Sequence, residues 1–145
     1  MSGPSPQDLS FRLAVAVGQV ARRLRPVYGE LAAGHYSILA TLIRQGPQRP
    51  SDLARVERVS APTMTRLLGT LEERGMVTRQ PDADDARCVT VEVTAAGSEA
   101  VDQVRTDRAV TMATLLDTLD ESEVARLADA LTVLESLGEV ARQPT

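Results

Sequence analysis

The stretch from residue 60 to residue 97 constrains the fold more strongly than any other part of the chain. It begins with SAPTMTRLLGTLEERG, in which apolar residues recur at the spacing of one helical face. These residues are Met64, Leu67, Leu68 and Leu71. Ser60 is a typical N-cap, Pro62 suits a first helical turn, and Gly75 suits the position after the last turn. We therefore expect a helix between Ser60 and Gly75 with one buried side.

Two short alternating segments follow this helix and predict a β-hairpin. The strands are expected at residues 76–80 and 88–93, and the three valines of VTVEV point to the same side of the second strand. The loop between the strands, PDADDAR, is acidic except for its last residue. A helix followed at once by a protruding hairpin is the build of a winged helix-turn-helix, which places a helix in the major groove of DNA and a wing beside it.

Polar side chains near the start of the helix suit contact with nucleic acid. Thr63, Thr65 and Arg66 lie outside the apolar stripe, and small hydroxyls and an arginine near a helix N-terminus suit base edges and phosphates. An ordinary solvent-facing helix would have the same pattern of residues. The interpretation as a DNA-contacting helix therefore depends on the short helix before it and the hairpin after it.

The spacing of Asp85 and Arg87 in the loop allows two interpretations. The aspartate could hold the arginine for entry into a minor groove, or the two could form a weak surface ion pair.

Apolar patterns with helical spacing flank this unit on both sides. We expect helices at about residues 7–25, 33–45, 51–59, 95–118 and 120–138. Pro26 is expected to end the first helix, and Asp120 with Glu123 forms a capping-box-like start to the last. The second helix is expected to bury Tyr36, Ile38, Leu39, Leu42 and Ile43.

The first and last helices carry wide apolar stripes. The first has Leu9, Leu13, Ala16, Val17, Val20 and Leu24, and the last has Val124, Leu127, Leu131, Leu134 and Leu137. A small central domain could not cover this much apolar surface. A homodimer is the economical solution.

Composition limits the class of protein. The chain has 145 residues, 43% of them hydrophobic and 25% charged, which is typical of a soluble globular protein. Only 2% are aromatic, so the core must be aliphatic. No apolar run approaches the roughly 20 residues of a membrane span. The start, MSGPSPQDLSF, lacks a basic segment followed by an apolar one, so we expect a cytoplasmic protein without membrane contact.

The charge neither supports nor opposes a nucleic-acid role. The net charge of −4 argues mildly against it, because non-specific DNA affinity comes from basic surface. Residues 49–87, however, contain seven arginines and seven acidic residues. All 16 basic residues are arginine, which fits bidentate phosphate contacts and fits a biased genomic base composition equally well.

The remaining reactive residues do not form a catalytic or metal-binding set. Cys88 is the only cysteine, which excludes an intrachain disulfide and a multi-cysteine metal site, and His35 is the only histidine. Nucleophilic catalysis would need Cys88 or a serine beside a base, yet His35 lies on a different predicted helix. Neither a nucleophile-elbow motif nor a phosphate-cradling glycine loop is present. We therefore predict a protein that is not an enzyme and has no cofactor.

From about Leu9 to Leu137 the chain resembles the multiple antibiotic resistance regulator (MarR) family of bacterial transcription factors. The most specific part, DADDARCVTVEVTAAG, is similar to the family's wing pattern of Asp, a gap, Asp-Arg-Arg and then Val-x-Leu-Thr-x-x-Gly. The matching positions are Asp82, Asp85, Arg87, Val91, Thr94 and Gly97. Ala86 departs from the pattern, since the family usually has a basic residue there, and the departure concerns one contact between wing and DNA backbone. SAPTMTRLLGTLEERGMV resembles the recognition helix, and LAAGHYSILATL resembles the second helix.

Pattern and resemblance together predict a mainly α fold with a small β-hairpin wing. Residues 1–32 would form the N-terminal helix of a dimerisation region, and residues 33–97 a winged helix-turn-helix DNA-binding domain. Residues 98–145 would supply C-terminal dimerisation helices.

The resemblance implies a homodimer that reads a pseudo-palindromic operator in double-stranded DNA. The residues implied to face the major groove are Ser60, Pro62, Thr63, Thr65 and Arg66. Arg87 would enter the minor groove, oriented by Asp85. A winged-helix module that has lost DNA binding and contacts only proteins is the alternative, which the acidic balance and Ala86 keep open.

Many members of the family are repressors released by small phenolic or other lipophilic ligands that bind between the dimer helices and the winged domains. Arg12, His35 and Tyr36 are the candidates for lining such a pocket here, and packing and capping at the dimer junction is the other reading of these residues. Thiol-oxidation sensors of the family carry a reactive cysteine in the first helix, where this chain has none. Cys88 has no nearby base or helix N-terminus to activate it, so we interpret it as a small strand residue.

Overall fold

The computed structural model describes residues 3–25 and 31–143. Within these ranges the chain forms six helices and one antiparallel hairpin. In chain order the elements are α1 (Pro6–Leu24), α2 (Ala33–Gln45), α3 (Pro50–Glu57), α4 (Ala61–Glu73), β1 (Val77–Pro81), β2 (Val89–Val93), α5 (Ala95–Leu116) and α6 (Glu121–Arg142). The predicted mainly α fold with a small hairpin is confirmed. Across the two ranges, none of the helices combines the length and apolarity that a bilayer span requires.

The hydrophobic core lies between α2, α3, α4, the hairpin and the first half of α5. The apolar side of α2 runs through its centre, where Ile38 and Leu39 have no exposed surface. The largest fully buried side chains are Ile38, Leu39, Leu42, Leu53, Met64, Leu68, Leu71, Val91 and Val101, all aliphatic or methionine as the composition predicts. Burying one such side chain is worth about 1.5–3 kcal/mol. This shared burial holds α4 and the hairpin against α2.

A tight turn joins α3 to α4. Arg58 adopts the left-handed conformation, with φ 55° and ψ 43°. The Val59 N–H then donates back to the Ala54 carbonyl at 3.0 Å, which closes the end of α3. Ser60 follows as the N-cap of α4, as predicted, with its hydroxyl oxygen accepting from the Thr63 N–H. The two helices are therefore separated by only three residues, Arg58, Val59 and Ser60.

The hairpin is tied to the segment that precedes α3. In the β1–β2 ladder Val91 lies opposite Arg79. On its other edge Val91 exchanges two backbone hydrogen bonds with Gln48, at 2.8 and 3.0 Å. The Val91 side chain is fully buried, whereas Val89 is 43% exposed because the hairpin extends beyond the core there. The three valines share a side as predicted, but only one of them is central to the core.

The first turn of α5 packs closely on the junction between α4 and β1. The Thr94 hydroxyl accepts from the Gly97 N–H at 3.2 Å and donates to the Gly75 carbonyl at 2.6 Å. Gly75 has a positive φ of 69° after the last turn of α4, as predicted. A Cβ added at Gly97 would overlap the Met76 carbonyl oxygen. Gly97 is therefore required for this approach.

The first and last helices expose most of their apolar residues. Neither α1 nor α6 has a buried residue. The exposed large apolar side chains are Leu9, Phe11, Val15, Val17 and Val20 on α1, and Val124, Leu127, Leu131, Val133, Leu134, Leu137 and Val140 on α6. In the single described chain, each of these side chains has more than a third of its surface exposed.

Some details of the helices differ from the prediction. Helix α6 continues through Gly138 to Arg142, because one glycine costs a helix only about 1 kcal/mol. Helix α5 ends at Leu116, two residues earlier than predicted. Ile43 is 37% exposed rather than buried, although the rest of the predicted face of α2 lies inward. The capping box of Asp120 and Glu123 is present, and the predicted helix stop at Pro26 lies outside the described residues.

We expect Gly97→Ala to lower the free energy of unfolding by about 1–3 kcal/mol, the usual cost of forcing extra atoms into a packed region. The physical reason is the overlap of the new Cβ with the Met76 carbonyl oxygen. Gly69→Ala is the matched control, because a Cβ there meets nothing within 4 Å. In a helix interior that change should stabilise by about 0.5–1 kcal/mol. Urea unfolding of both variants measures the contrast, and equal stability of the two would contradict the packing described.

Candidate nucleic-acid interface

The start of α4 presents a small group of hydroxyl side chains. The Ser60 hydroxyl accepts from the Thr63 N–H at 3.3 Å and donates to the Thr63 hydroxyl oxygen at 2.9 Å. The Ser60 proton is therefore committed within the protein, while the hydroxyl proton of Thr63 can still be donated outward. Ser60, Ala61 and Pro62 are exposed. The cap thus fixes where the helix begins and leaves Thr63 as its first polar contact group.

Thr65 and Arg66 form the next exposed positions of α4. The Thr65 hydroxyl donates to the Ala61 carbonyl at 3.0 Å, so its donor faces the helix backbone. Its methyl group is then the part available to a neighbour, and such a methyl suits the C5-methyl of thymine. Arg66 extends from the same exposed surface, opposite the buried Met64 and Leu68. The first two turns of α4 therefore offer one donor, one methyl and one guanidinium.

The loop between β1 and β2 holds its arginine in a forked ion pair. Arg87 Nε donates to Asp85 Oδ1 at 3.0 Å, and Arg87 Nη2 donates to Asp85 Oδ2 at 3.2 Å. The Arg87 backbone N–H adds a bond to Oδ1 at 3.1 Å. The Arg87 side chain is 91% exposed, while Asp85 is 33% exposed. The contact predicted from their spacing is present, and it leaves the paired guanidinium exposed to solvent.

Hydrogen bonds from the Arg87 side chain and then from its backbone lower the pKa of the Asp85 carboxyl below its usual value. The carboxylate therefore stays ionised at neutral pH and keeps both guanidinium bonds.

The base of this loop is held by a contact that the sequence analysis did not identify. Arg49, the residue before α3, donates from Nε to Asp82 Oδ2 at 2.6 Å. The other carboxylate oxygen of Asp82 accepts from the N–H groups of Asp84 and Asp85, at 2.8 and 3.4 Å. The hydrogen bond from Arg49, followed by the one from the Asp84 backbone, lowers the pKa of Asp82. No local pattern links two residues that stand 33 positions apart.

A second ion pair links the hairpin to α4. Arg79 of β1 donates from Nε to Glu72 Oε2 in the last turns of α4 at 2.9 Å. Together with the shared core, this pair keeps the exposed face of α4 and the hairpin in one relative position.

The three candidates for an effector pocket lie in different places. Tyr36 lines a cavity of about 530 Å³ between α2, α3, α5 and α6. Arg12 lies on α1 and pairs with Asp8 at 3.6 Å, and both side chains are at least half exposed. His35 does not line the cavity. Within a single described chain, the structure brings none of the three together.

Several arginines missed by the sequence analysis surround this cavity. Its charged lining consists of Arg44, Glu57, Arg105, Arg108 and Arg142. The guanidinium carbon of Arg108 lies 4.5 Å from the centre of the Tyr36 ring, a cation–π distance. Four arginines against one glutamate make the cavity suitable for an anion with an apolar body. These arginines come from three helices, so no single segment of the sequence indicates that they lie together.

The wall of the cavity includes the one buried polar side chain of the described core, Thr41. Its hydroxyl donates to Glu57 Oε1 at 3.1 Å, and the same hydroxyl oxygen accepts from Arg44 Nη2 at 3.5 Å. Glu57 is the last residue of α3, directly before the turn into α4. The cavity wall and the turn into α4 are therefore neighbours.

His35 faces α4 instead. Both of its ring nitrogens are shielded from solvent and have no hydrogen-bond partner among the described residues. Burial lowers the pKa of His35, and the nearby charges of Arg74 and Arg66 lower it further. The imidazole is therefore neutral at pH 7. Successive helical residues point about 100° apart, which explains why His35 and Tyr36 face different surroundings.

Comparison with known proteins adds to this geometry. The model of the family described as MarR matches residues 31–89. An HTH-type transcriptional regulator of Mycobacterium tuberculosis is 35% identical over 135 residues, which are 92% of this chain and 94% of the relative. The crystal structure of a transcriptional regulator from Thermotoga maritima superposes with a TM-score of 0.78 at 26% identity, over 93% of this chain and 96% of that one.

A further solved structure shares the fold. It is a mutant of MepR from S. aureus bound to an oligodeoxyribonucleotide, with a TM-score of 0.67 and 22% identity over 88% of this chain and 96% of that one. The match to the mycobacterial relative extends over nearly all of both chains, and the family model covers the segment from α2 through the loop of the hairpin. The chain belongs to the MarR family of HTH-type transcriptional regulators.

Proposed function

We propose that this regulator is a homodimeric repressor that binds a pseudo-palindromic operator and is released by a small ligand. The observation that carries the DNA-binding part is the exposed Arg87, forked onto Asp85 in a hairpin that shares a core with α4. Such a unit can enter a major groove with its helix and the adjacent minor groove with its arginine. The oligodeoxyribonucleotide in the MepR mutant structure supports the same use of the fold.

Five residues at the start of α4 are assigned to the major groove. They are Ser60, Pro62, Thr63, Thr65 and Arg66. The free hydroxyl proton of Thr63 and the outward methyl of Thr65 suit base edges, and Arg66 suits a guanine or a phosphate. The buried side of α4 supports this assignment, because it leaves these side chains as the ones that an approaching duplex would meet.

Arg87 is assigned to the minor groove. The pair with Asp85 holds the guanidinium in one orientation, and the lowered pKa of Asp85 favours the ionised form that the pair requires. Negative potential is strongest in a narrow minor groove, which attracts an exposed arginine. Ala86 supplies no second cation beside it, so the wing depends on Arg87 more than a wing with two adjacent basic residues would.

The exposed apolar faces of α1 and α6 support a homodimer. We assign residues 1–32 and 98–145 to dimerisation and residues 33–97 to DNA binding. An isologous dimer would cover both faces and place two copies of α4 for two half-sites. Two-fold protein symmetry then corresponds to a pseudo-palindromic operator. A regulator that binds operator DNA works in the cytoplasm, where we place it.

The cavity beside Tyr36 is assigned to a small phenolic or other lipophilic effector. Its ring and the surrounding arginines suit an aromatic ligand that carries negative charge. Arg12 and His35 remain predicted pocket residues that lie away from this cavity in the single chain. In this scheme the unliganded protein binds the operator and represses transcription. Ligand binding then opposes the arrangement that binds DNA.

A protein-interaction module that has lost DNA binding is the second candidate. The net charge of −4 and the missing basic residue at Ala86 favour it. Binding to duplex DNA at low salt distinguishes the two candidates, because only the repressor retains it.

We expect Arg66→Ala and Arg87→Ala each to weaken DNA binding, with Arg66→Ala costing about 1–3 kcal/mol of sequence discrimination where it reads a base. The probe is a duplex that the wild-type protein selects from a random pool, and the measurement is fluorescence anisotropy across a salt series. Arg126→Ala is the control, since Arg126 is an exposed arginine on α6. Failure of the wild-type protein to select any duplex, or unchanged binding in both variants, would contradict the proposal.

We expect Leu131→Glu to convert the dimer into a monomer, because it places a charge in the apolar stripe of α6, where Leu131 is 53% exposed in the single chain. Light scattering after size exclusion measures the mass. Val133→Glu is the matched control, since Val133 points away from that stripe and is 63% exposed. A wild-type protein with the mass of one chain would reject the dimer.

We expect Tyr36→Ala to raise by about tenfold the concentration of an aromatic acid needed to release the selected duplex, the effect of losing an aromatic contact of about 1.4 kcal/mol. Benzoate and hydroxybenzoates are the probes, and anisotropy of the labelled duplex is the measurement. Tyr36→Phe, which keeps the ring, should respond nearly as the wild type does. Release at the same concentration from Tyr36→Ala would remove this cavity as the effector site.

A further inference from the structure

We infer that Arg49 is a positioning residue for Arg87, acting through Asp82 across the base of the wing. The inference rests on the proposed function, in which Arg87 contacts DNA. Arg49 lies 33 residues from Asp82 in sequence, yet its Nε donates to Asp82 Oδ2 at 2.6 Å. The Asp82 side chain is only 10% exposed and that of Arg49 is 42% exposed. This is an ion pair at the foot of the hairpin loop rather than a contact at its tip.

Asp82 organises the loop from within. Its second oxygen accepts from the N–H groups of Asp84 and Asp85. Its own N–H donates to the Cys88 carbonyl at 2.9 Å, and the Cys88 N–H donates to the Asp85 carbonyl at 2.9 Å. Holding the Asp82 carboxylate in place therefore also holds the backbone of Asp85 in place.

The Arg49 end of the ion pair is anchored just as firmly. Its neighbour Gln48 exchanges two backbone hydrogen bonds with the fully buried Val91. Arg49 itself is the N-cap residue of α3, and its carbonyl accepts from the Leu53 N–H at 3.1 Å. The guanidinium therefore projects from a point that is fixed relative to both the hairpin and the helix-turn-helix.

These contacts form a continuous series from the core to the wing arginine. Arg49 holds the Asp82 carboxylate, Asp82 holds the Asp85 backbone, and the Asp85 carboxylate holds the fork of Arg87. Arg87 is 91% exposed and has no other hydrogen bond given by the structure, so the orientation of its guanidinium depends on this series.

The pKa values of Asp82 and Arg49 are shifted in the directions that favour their charged forms. The hydrogen bond between them is the largest cause both of the lowered pKa of Asp82 and of the raised pKa of Arg49. Both groups remain charged at neutral pH. A partly exposed ion pair adds little to global stability, so its loss should change the wing more than the fold.

The test is a double-mutant cycle in DNA affinity. Arg49→Gln and Asp82→Asn should each weaken binding of the selected duplex by about three- to tenfold. Arg49→Gln combined with Arg87→Ala should bind as Arg87→Ala alone does, because the first residue acts only through the second. Arg49→Lys, which keeps the charge, should recover part of the loss. Arg55→Gln is the matched control, since it removes an arginine of α3 that is also paired with a carboxylate, Asp52 at 3.1 Å.

A measurement without DNA separates this inference from the proposed function. Trypsin cleavage after Arg87, followed at that one bond by mass spectrometry of the fragments, reports how readily the loop opens, because proteolysis depends on local unfolding. Arg49→Gln should speed this cleavage several-fold while the thermal midpoint stays close to that of the wild type. If the wild-type protein selects no duplex, the proposed function fails, and the cleavage rate alone decides whether Arg49 holds the wing.

Two results would overturn the inference. One is an unchanged cleavage rate in Arg49→Gln. The other is a double variant whose loss of affinity equals the separate losses combined, since Arg49 would then act on DNA independently of Arg87.

Discussion

The position of Val91 is the constraint on which the rest of the DNA-binding unit depends. Its side chain is fully buried among residues of the helices, and its backbone is bonded to Gln48 on one edge while β1 lies on the other. A strand residue in this position cannot move without breaking either core packing or backbone hydrogen bonds. Helix α3, the hairpin and the core therefore meet at one residue, and α4 is carried on the same core.

Several charged residues of this unit pair with one another, which changes what its charge balance means for DNA binding. Seven acidic residues match seven arginines between residues 49 and 87, which by count alone gives DNA binding no support. Several of these acids are engaged within the protein: Asp82 and Asp85 organise the wing loop, and Glu72 holds Arg79. These carboxylates hold arginines in place instead of forming an acidic surface. A neutral region can therefore still present a correctly aimed cation to a phosphate or a groove.

The sequence predicted the structural features that depend on residues close to one another in the chain. The caps at Ser60 and Thr94 and the apolar period of α4 each involve residues within a few positions, so their patterns are readable. The Asp85–Arg87 contact spans two positions and was readable for the same reason. The bond between Arg49 and Asp82 crosses 33 positions and needs the folded hairpin to exist. The cationic cavity was missed likewise, since its arginines come from three separate helices.

In the proposed mechanism, the cavity lies between the helices assigned to dimerisation and the turn into α4. Arg142 of α6 and Arg108 of α5 line one side, and these helices belong to the region assigned to dimerisation. The opposite side includes Glu57, which accepts from Thr41 and immediately precedes the left-handed Arg58 in the turn to α4. An anion bound among the arginines would share the cavity with Glu57, and the two negative charges would repel each other. Any shift of Glu57 would then act on the one turn that sets the angle between α3 and α4, and through it on the spacing of the two recognition helices in a dimer.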